Sequence, residues 1–208
     1  MKATTKDEAI NIMLSMIGES PVTSPTTSSS ADAQTAIRIL DEASKEMQSA
    51  GWHFNREYEV TLSPDAVTKE ILLAENVLQV DVEPQDSWFS GTKRIDAIMR
   101  GKTGGLLFLY DKANHTFEFS SDVKATVVYG LEWDTLPEIV RNYLIKRAGR
   151  IFNARVVGDA NQNQFLLMEE HTAQLAVRNW EAEASDNTVF DHWDTYRIIN
   201  RHGIPNSI

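Results

Sequence analysis

Four carboxylates, Asp111, Glu118, Glu132 and Asp134, fall in or beside a stretch of alternating apolar residues that also holds Trp88 and Trp133. Two acids flanking a glycosidic bond, with an aromatic ring under the sugar, are the parts a glycoside hydrolase requires. With thirty Asp and Glu in the chain, however, acids say little about a site, and solvated acidic loops are the favoured reading. Polysaccharide cleavage therefore stands as the alternative function. Gly101-Lys102-Thr103 matches the end of a phosphate-binding loop, but Asp96 occupies the place of that motif's first glycine and the surroundings read as a hairpin. His53, His115, His171, His192 and His202 are not spaced as metal ligands. Cysteine is absent, which removes disulfides, thiolate zinc sites and cysteine nucleophiles together. No catalytic, cofactor-binding or metal-binding residue is assigned.

The remaining chemistry is docking. Phe190, Trp193 and Tyr196 stand at i, i+3 and i+6 near the carboxy terminus, a spacing suited to a short segment that contacts a neighbouring protein. Packing of the same rings on the chain's own core is the competing expectation. A formal charge of -10 opposes a DNA-gripping or anionic-membrane surface. The amino terminus has no apolar signal core, and no apolar run approaches the roughly 20 residues of a membrane span. Synthesis and retention in a reducing cytoplasm are expected. Asn114-His115-Thr116 fits a glycosylation sequon that has no consequence in that setting.

The elements that must position these residues are legible in outline. Thr5 and Glu8 have capping-box spacing, and Ile10, Met13, Leu14 and Ile17 repeat helically up to Gly18, predicting a helix over 6–17. A Ser/Thr/Pro stretch over 23–30 reads as a loop. Ser30 or Asp32 can cap a second helix with Ala33, Ile37, Leu40, Ala43, Met47 and Ala50 on one side. Gly51 sits where a helix end needs a left-handed backbone, and Trp52 and Phe54 then alternate as in a half-buried extended segment. Strands are expected around 58–62, 78–82, 94–99, 106–110, 116–119 and 124–129. Thr135 and Glu138 repeat the capping-box spacing before Val140, Leu144, Ala148, Ile151 and Phe152. Asp159 and Gln162 open a last helix carrying Phe165, Met168, Leu175, Ala176 and Trp180, roughly 39 Å long if it reaches Ser185.

The expected fold is α+β, a bundle of amino- and carboxy-terminal helices with an inserted antiparallel β-subdomain. Its parts are 1–55 and 134–185 for the bundle, 56–133 for the β-rich unit and 186–208 for the tail. Ile12, Met16, Ile139 and Tyr143 lie off the main apolar stripes. They are candidates either for contacts between subunits or for packing inside one thick bundle.

Ile17-Gly18-Glu19-Ser20-Pro21-Val22 and Gly51-Trp52-His53-Phe54-Asn55 resemble signatures of the tail tubular protein A family, the adaptors of short-tailed podovirus-type phages. Ala9-Ile10-Asn11 with Met13-Leu14, residues 36–40 and 46–48, Leu136-Pro137-Glu138, Lys146-Arg147-Ala148 with Arg150 and Phe152, and Glu169-Glu170 extend the similarity in order along the chain. The β-part and the residues after Phe190 match poorly. The resemblance implies a structural virion protein with no reaction and no cofactor. It implies a ring of twelve that joins the portal protein to the tail nozzle (tail tubular protein B), helps attach tail fibres, and lets DNA pass through its channel without specific binding. Two different complementary faces per subunit are what a cyclic ring requires.

Overall fold

The computed structural model describes residues 3–27, 30–82, 96–102 and 104–184. Helix α1 (Lys6–Met16) opens with the expected capping box. The Glu8 N–H donates to the Thr5 hydroxyl at 3.2 Å while the Glu8 carboxylate accepts the Thr5 N–H at 2.7 Å. Two otherwise orphaned first-turn donors are thereby satisfied. Ala9, Ile10, Met13 and Leu14 form its buried face. Helix α2 (Ala31–Gln48) starts from Ser30 and buries Ala33, Ala36, Ile39, Leu40, Ala43 and Met47. Its stripe is turned slightly from the expected one, leaving Ile37 half-buried and Ala50 exposed.

The second stretch of helices departs further from expectation. Thr135 does not cap helix α3 (Glu138–Val156), because it closes a 3-10 turn over Trp133–Thr135 and donates its hydroxyl to Glu132 O at 2.8 Å. Pro137 occupies the cap position without a side-chain bond. The Glu138 carboxylate instead takes the Thr4 N–H at 2.9 Å and the Thr4 hydroxyl at 2.5 Å. Helix α3 packs against α1, α2 and α4, so it buries Val140, Tyr143, Leu144, Ile145, Ala148 and Phe152 around much of its circumference. Gly149 gives α1 its close approach: a Cβ there would lie 2.2 Å from Met16 Sδ. Met16, Ile139 and Tyr143 thus pack within the bundle, and Ile12 alone of the four off-stripe residues stays exposed.

Helix α4 (Ala160–Ala184) starts after Gly158, with Asp159 Oδ1 accepting the Asn161 N–H at 2.8 Å. Its inward face is Leu166, Glu170, Ala173 and Val177. Phe165, Met168, Leu175 and Ala176, the apolar residues by which the sequence marks this helix, point outward. Trp180 is half-buried against the helical core. The inward stripe includes a carboxylate, Glu170, which Arg147 and Arg150 of α3 hold.

Between the helical stretches lie two antiparallel sheets. In the first, β5 (Val123–Tyr129) is central between β1 (Arg56–Leu62) and β2 (Val77–Val82). Val123, Ala125 and Val127 face one way along β5 and are buried, the period-2 alternation of a half-covered strand. Register shifts in β1 between Glu57 and Val60, where Glu59 has φ 53, and in β2 between Val77 and Gln79 bend these edges. The second sheet pairs β3 (Ala97–Gly101) with β4 (Leu107–Asp111). Residues 116–119, expected as a strand, make only isolated bridges, Asp111 to Thr116 and Glu70 to Glu118. Ile71, Leu73, Val77, Val80, Leu109, Phe119 and the inward β5 residues form a second apolar cluster, separate from the helical one.

Candidate functional site

No helix among the described residues is long and apolar enough to cross a membrane, and no group of His, Cys, Asp or Glu among them could hold a metal ion. What the fold assembles is a joint, a ladder of ion pairs, a polar cleft and an uncovered helix face.

The joint is built from the Gly51–Asn55 stretch. It is a turn rather than the expected extended segment, and Gly51 takes φ 71 as its place after a helix requires. Asn55, 3% exposed, is its hub. Its amide donates to Gln48 O at 2.9 Å and Tyr129 O at 2.7 Å, while its oxygen accepts the Trp52 N–H at 2.9 Å. The Gln48 side chain pairs with the Leu131 backbone in both directions, at 2.7 and 3.1 Å. The Trp52 indole donates to Met47 O at 2.8 Å. On the other side of the turn, the His53 N–H donates to the Glu181 carboxylate at 2.9 Å, the His53 ring contacts the same carboxylate, and its centroid lies 4.3 Å from that of the Trp180 ring at a tilt of 58°. The end of α2, the exit of β5 and the far end of α4 are thereby joined to one turn by polar bonds.

Arg141 ties down the entry to α3. It is 6% exposed and its guanidinium donates to Leu136 O at 2.9 Å, Thr4 O at 2.9 Å and Asp134 O at 2.8 Å. The Trp133 indole also donates to Thr4 O, at 2.9 Å. Trp133 is 8% exposed, so little of its ring is open to a sugar.

Apart from Arg141, the basic residues of α3 are paired with carboxylates. Lys146 meets Glu169 at 2.6 Å, Arg147 meets Glu46 at 2.7 Å and Glu170 at 3.0 Å, Arg150 pairs with Glu170, and Arg155 meets Glu42 at 3.1 Å. The hydrogen bond that Arg147 donates to Glu46 holds the Arg147 pKa above its ordinary value, and the Arg155 guanidinium lowers that of Glu42. The densest basic run of the chain is therefore spent on carboxylates of α2 and α4, leaving no basic stripe there to grip phosphates.

The cleft, of about 460 Å³, takes in Lys6, Asp41, Lys45, Glu75, Glu132 and Trp133. Of the four acids the sequence singled out, only Glu132 lines it. Asp111 is buried in a turn, accepting the Ala113 and Asn114 N–H groups at 2.8 and 3.1 Å. Glu118 sits at an isolated bridge to Glu70. Trp88 lies outside the described residues. Lys102 bridges the β3–β4 turn as a hairpin residue would: its N–H donates to Leu106 O at 3.0 Å, and its ammonium pairs with Glu70 and lies 4.3 Å from the Phe117 ring. Phe190, Trp193 and Tyr196 also lie outside the described residues, as do His192 and His202.

Sequence reasoning missed Gln48, Asn55, Arg141 and Glu170, the buried polar side chains that lock elements together. Asn55, Gln48 and Glu170 had a signal only as members of the stretches that carry the family resemblance, and Arg141 had none. A family model described as "Tail tubular protein" matches residues 7–187, which takes in both the helical bundle and the sheets. No curated protein matches the chain.

Proposed function

Because the chain belongs to the tail tubular protein family and is a structural component of a phage tail, we propose that it is the adaptor that joins the portal vertex to the tail nozzle. Twelve copies form a closed ring beneath the portal, the nozzle protein docks below, and tail fibres attach at its periphery. The observation that carries this reading is the family match over residues 7–187, which spans the bundle, the joint and the sheets together. The geometry is compatible with it. Two apolar clusters joined through the bonds of Asn55 and Gln48 suit a connector that presents different faces to different neighbours.

Charge suits the passage of DNA through such a ring. The formal charge is -10 and Lys146, Arg147, Arg150 and Arg155 of α3 are paired with carboxylates, so phosphates meet no basic stripe there and the genome slides without specific binding. Phe190, Trp193 and Tyr196 are assigned to partner contact on their spacing alone. Synthesis takes place in the cytoplasm of the bacterial host, with the assembled virion tail as the final location. The test is electron microscopy of the purified chain mixed with its portal protein. A closed twelvefold annulus stacked on the vertex is expected, and a portal that stays bare at saturating chain would overturn the reading.

A further inference from the structure

The far end of α4 is held by polar bonds to a single turn. Lys146 of α3 meets Glu169 of α4, and Asn153 meets Gln162, so the two helices run antiparallel. Carried on, that register brings Glu138, the first residue of α3, level with Val177, the last buried residue of α4. Residues 178–184 therefore continue for about 10 Å past the start of α3. Within them only Trp180 and Glu181 are shielded, while Arg178, Asn179, Ala182, Glu183 and Ala184 are exposed. Both shielded side chains meet the 51–55 turn. The Glu181 carboxylate accepts the His53 N–H at 2.9 Å and contacts the His53 ring, and the Trp180 ring lies 4.3 Å from that of His53 and 6.0 Å from that of Phe54. Among the described residues no other hydrogen bond or ion pair ties 178–184 to another element.

The two ends of α4 lie at opposite ends of the bundle. The Gln162 amide donates to Met16 O, at the close of α1, at 2.6 Å. Glu181 instead reaches the turn from which β1 departs and where Asn55 binds Tyr129 O at the exit of β5. The chain therefore leaves Ala184 at the end of the bundle that carries the sheets, and Phe190, the first of the rings Phe190, Trp193 and Tyr196, follows six residues later. We propose that His53, Trp180 and Glu181 form a clasp that positions this contact segment, so that binding through its rings depends on the closed clasp. The proposal rests on the reading of those rings as partner contacts. With the clasp closed, the last fixed residue stands six residues before Phe190. With it open, one or two turns of helix without packing do not hold, the last fixed residue becomes Val177, and the lead grows to thirteen residues. The effective concentration of a tethered group falls roughly as the −3/2 power of tether length, so opening the clasp weakens the contact by about threefold.

Hydrogen exchange of the free chain, with separate titrations of the purified portal and nozzle proteins, tests the clasp. Trp180→Ala/Glu181→Ala is expected to speed exchange over 178–184 by about tenfold or more while 163–177 keeps the parent's rates. It should weaken by about threefold the same partner that Phe190→Ala/Trp193→Ala weakens, and add nothing when the four changes are combined. Glu181→Gln, whose amide oxygen still accepts the His53 N–H, should fall between the parent and the Trp180→Ala/Glu181→Ala variant in both measurements. Unchanged exchange over 178–184, parental affinity, or a loss that persists undiminished in the combined variant would overturn the proposal. Parental binding of both partners by Phe190→Ala/Trp193→Ala would sink the assignment of the rings to partner contact, and the clasp's role with it. Weakened binding by that variant, alongside parental binding by Trp180→Ala/Glu181→Ala, would sink this inference alone.

Discussion

Replacing Asn55 with alanine removes three hydrogen bonds at once: two from its amide to Gln48 O and Tyr129 O, and one from the Trp52 N–H to its oxygen. Gln48 O keeps a partner in the Gly51 N–H at 3.0 Å, but the Trp52 N–H loses its acceptor. At about 1 kcal/mol net per bond, and more where a buried group is orphaned, the loss comes to about 3 kcal/mol. For a chain of this size that is a fall in Tm of roughly 6–12 °C. Thermal unfolding followed by far-ultraviolet circular dichroism and by tryptophan fluorescence measures it. Asn55→Asp extends the test through pH. A carboxylate there would face two carbonyl oxygens, so its pKa in the folded chain is raised above the ordinary value of about 3.9. The folded state then binds the proton more tightly, so stability is highest below about pH 4 and falls as pH rises through the raised value. Asn55→Asp should therefore be closer to the parent at pH 4 than at pH 7. A loss under about 1 kcal/mol for Asn55→Ala, or an Asn55→Asp deficit that does not grow with pH, would refute the role given to Asn55.

Three further outcomes follow from the same structure. Gly51→Ala places a Cβ 2.8 Å from Val128 Cγ2 on a backbone with φ 71, and should cost about 1–3 kcal/mol in urea unfolding. Glu170→Ala strands Arg150 facing a 7% exposed site and leaves Arg147 with Glu46 alone; because both arginines retain some access to water, the loss should be about 2–4 kcal/mol, with Glu170→Gln recovering part of it. Hydrogen bonds from the Thr4 hydroxyl and N–H lower the Glu138 pKa. This depressed pKa contributes stability above the ordinary carboxylate range that is lost as pH falls. Thr4→Val should flatten the acid limb of the stability–pH curve without changing its shape above pH 6.

The sequence made α1 legible because Thr5, Glu8 and the Ile10–Met13–Leu14 spacing all favour one helix with one buried face. It marked α4 as a helix through Phe165, Met168 and Leu175 and yet left its orientation open, since hydrophobicity alone cannot say which of two stripes meets the core. Glu170 compounds the difficulty: a charge reads as solvent-facing until its arginine partners, about twenty residues away on another helix, are in place. Thr135 shows the same limit locally. Its spacing to Glu138 fits a cap, but Pro137 and the turn over Trp133–Thr135 leave the hydroxyl committed to Glu132 O. The joint was legible only as a boundary. Asn55, Gln48 and Arg141 act through backbone carbonyls that chain folding brings to them, and no local pattern announces such partners.

The most direct experiment is to produce virions in a host supplied with every phage gene except this one, then to measure packaged DNA and image the tail vertex. Particles that fail to retain their genomes and carry no nozzle are expected, with both restored when the chain is added in trans. Full, DNA-retaining particles with intact tails would contradict the assignment of this chain as the link between portal and nozzle.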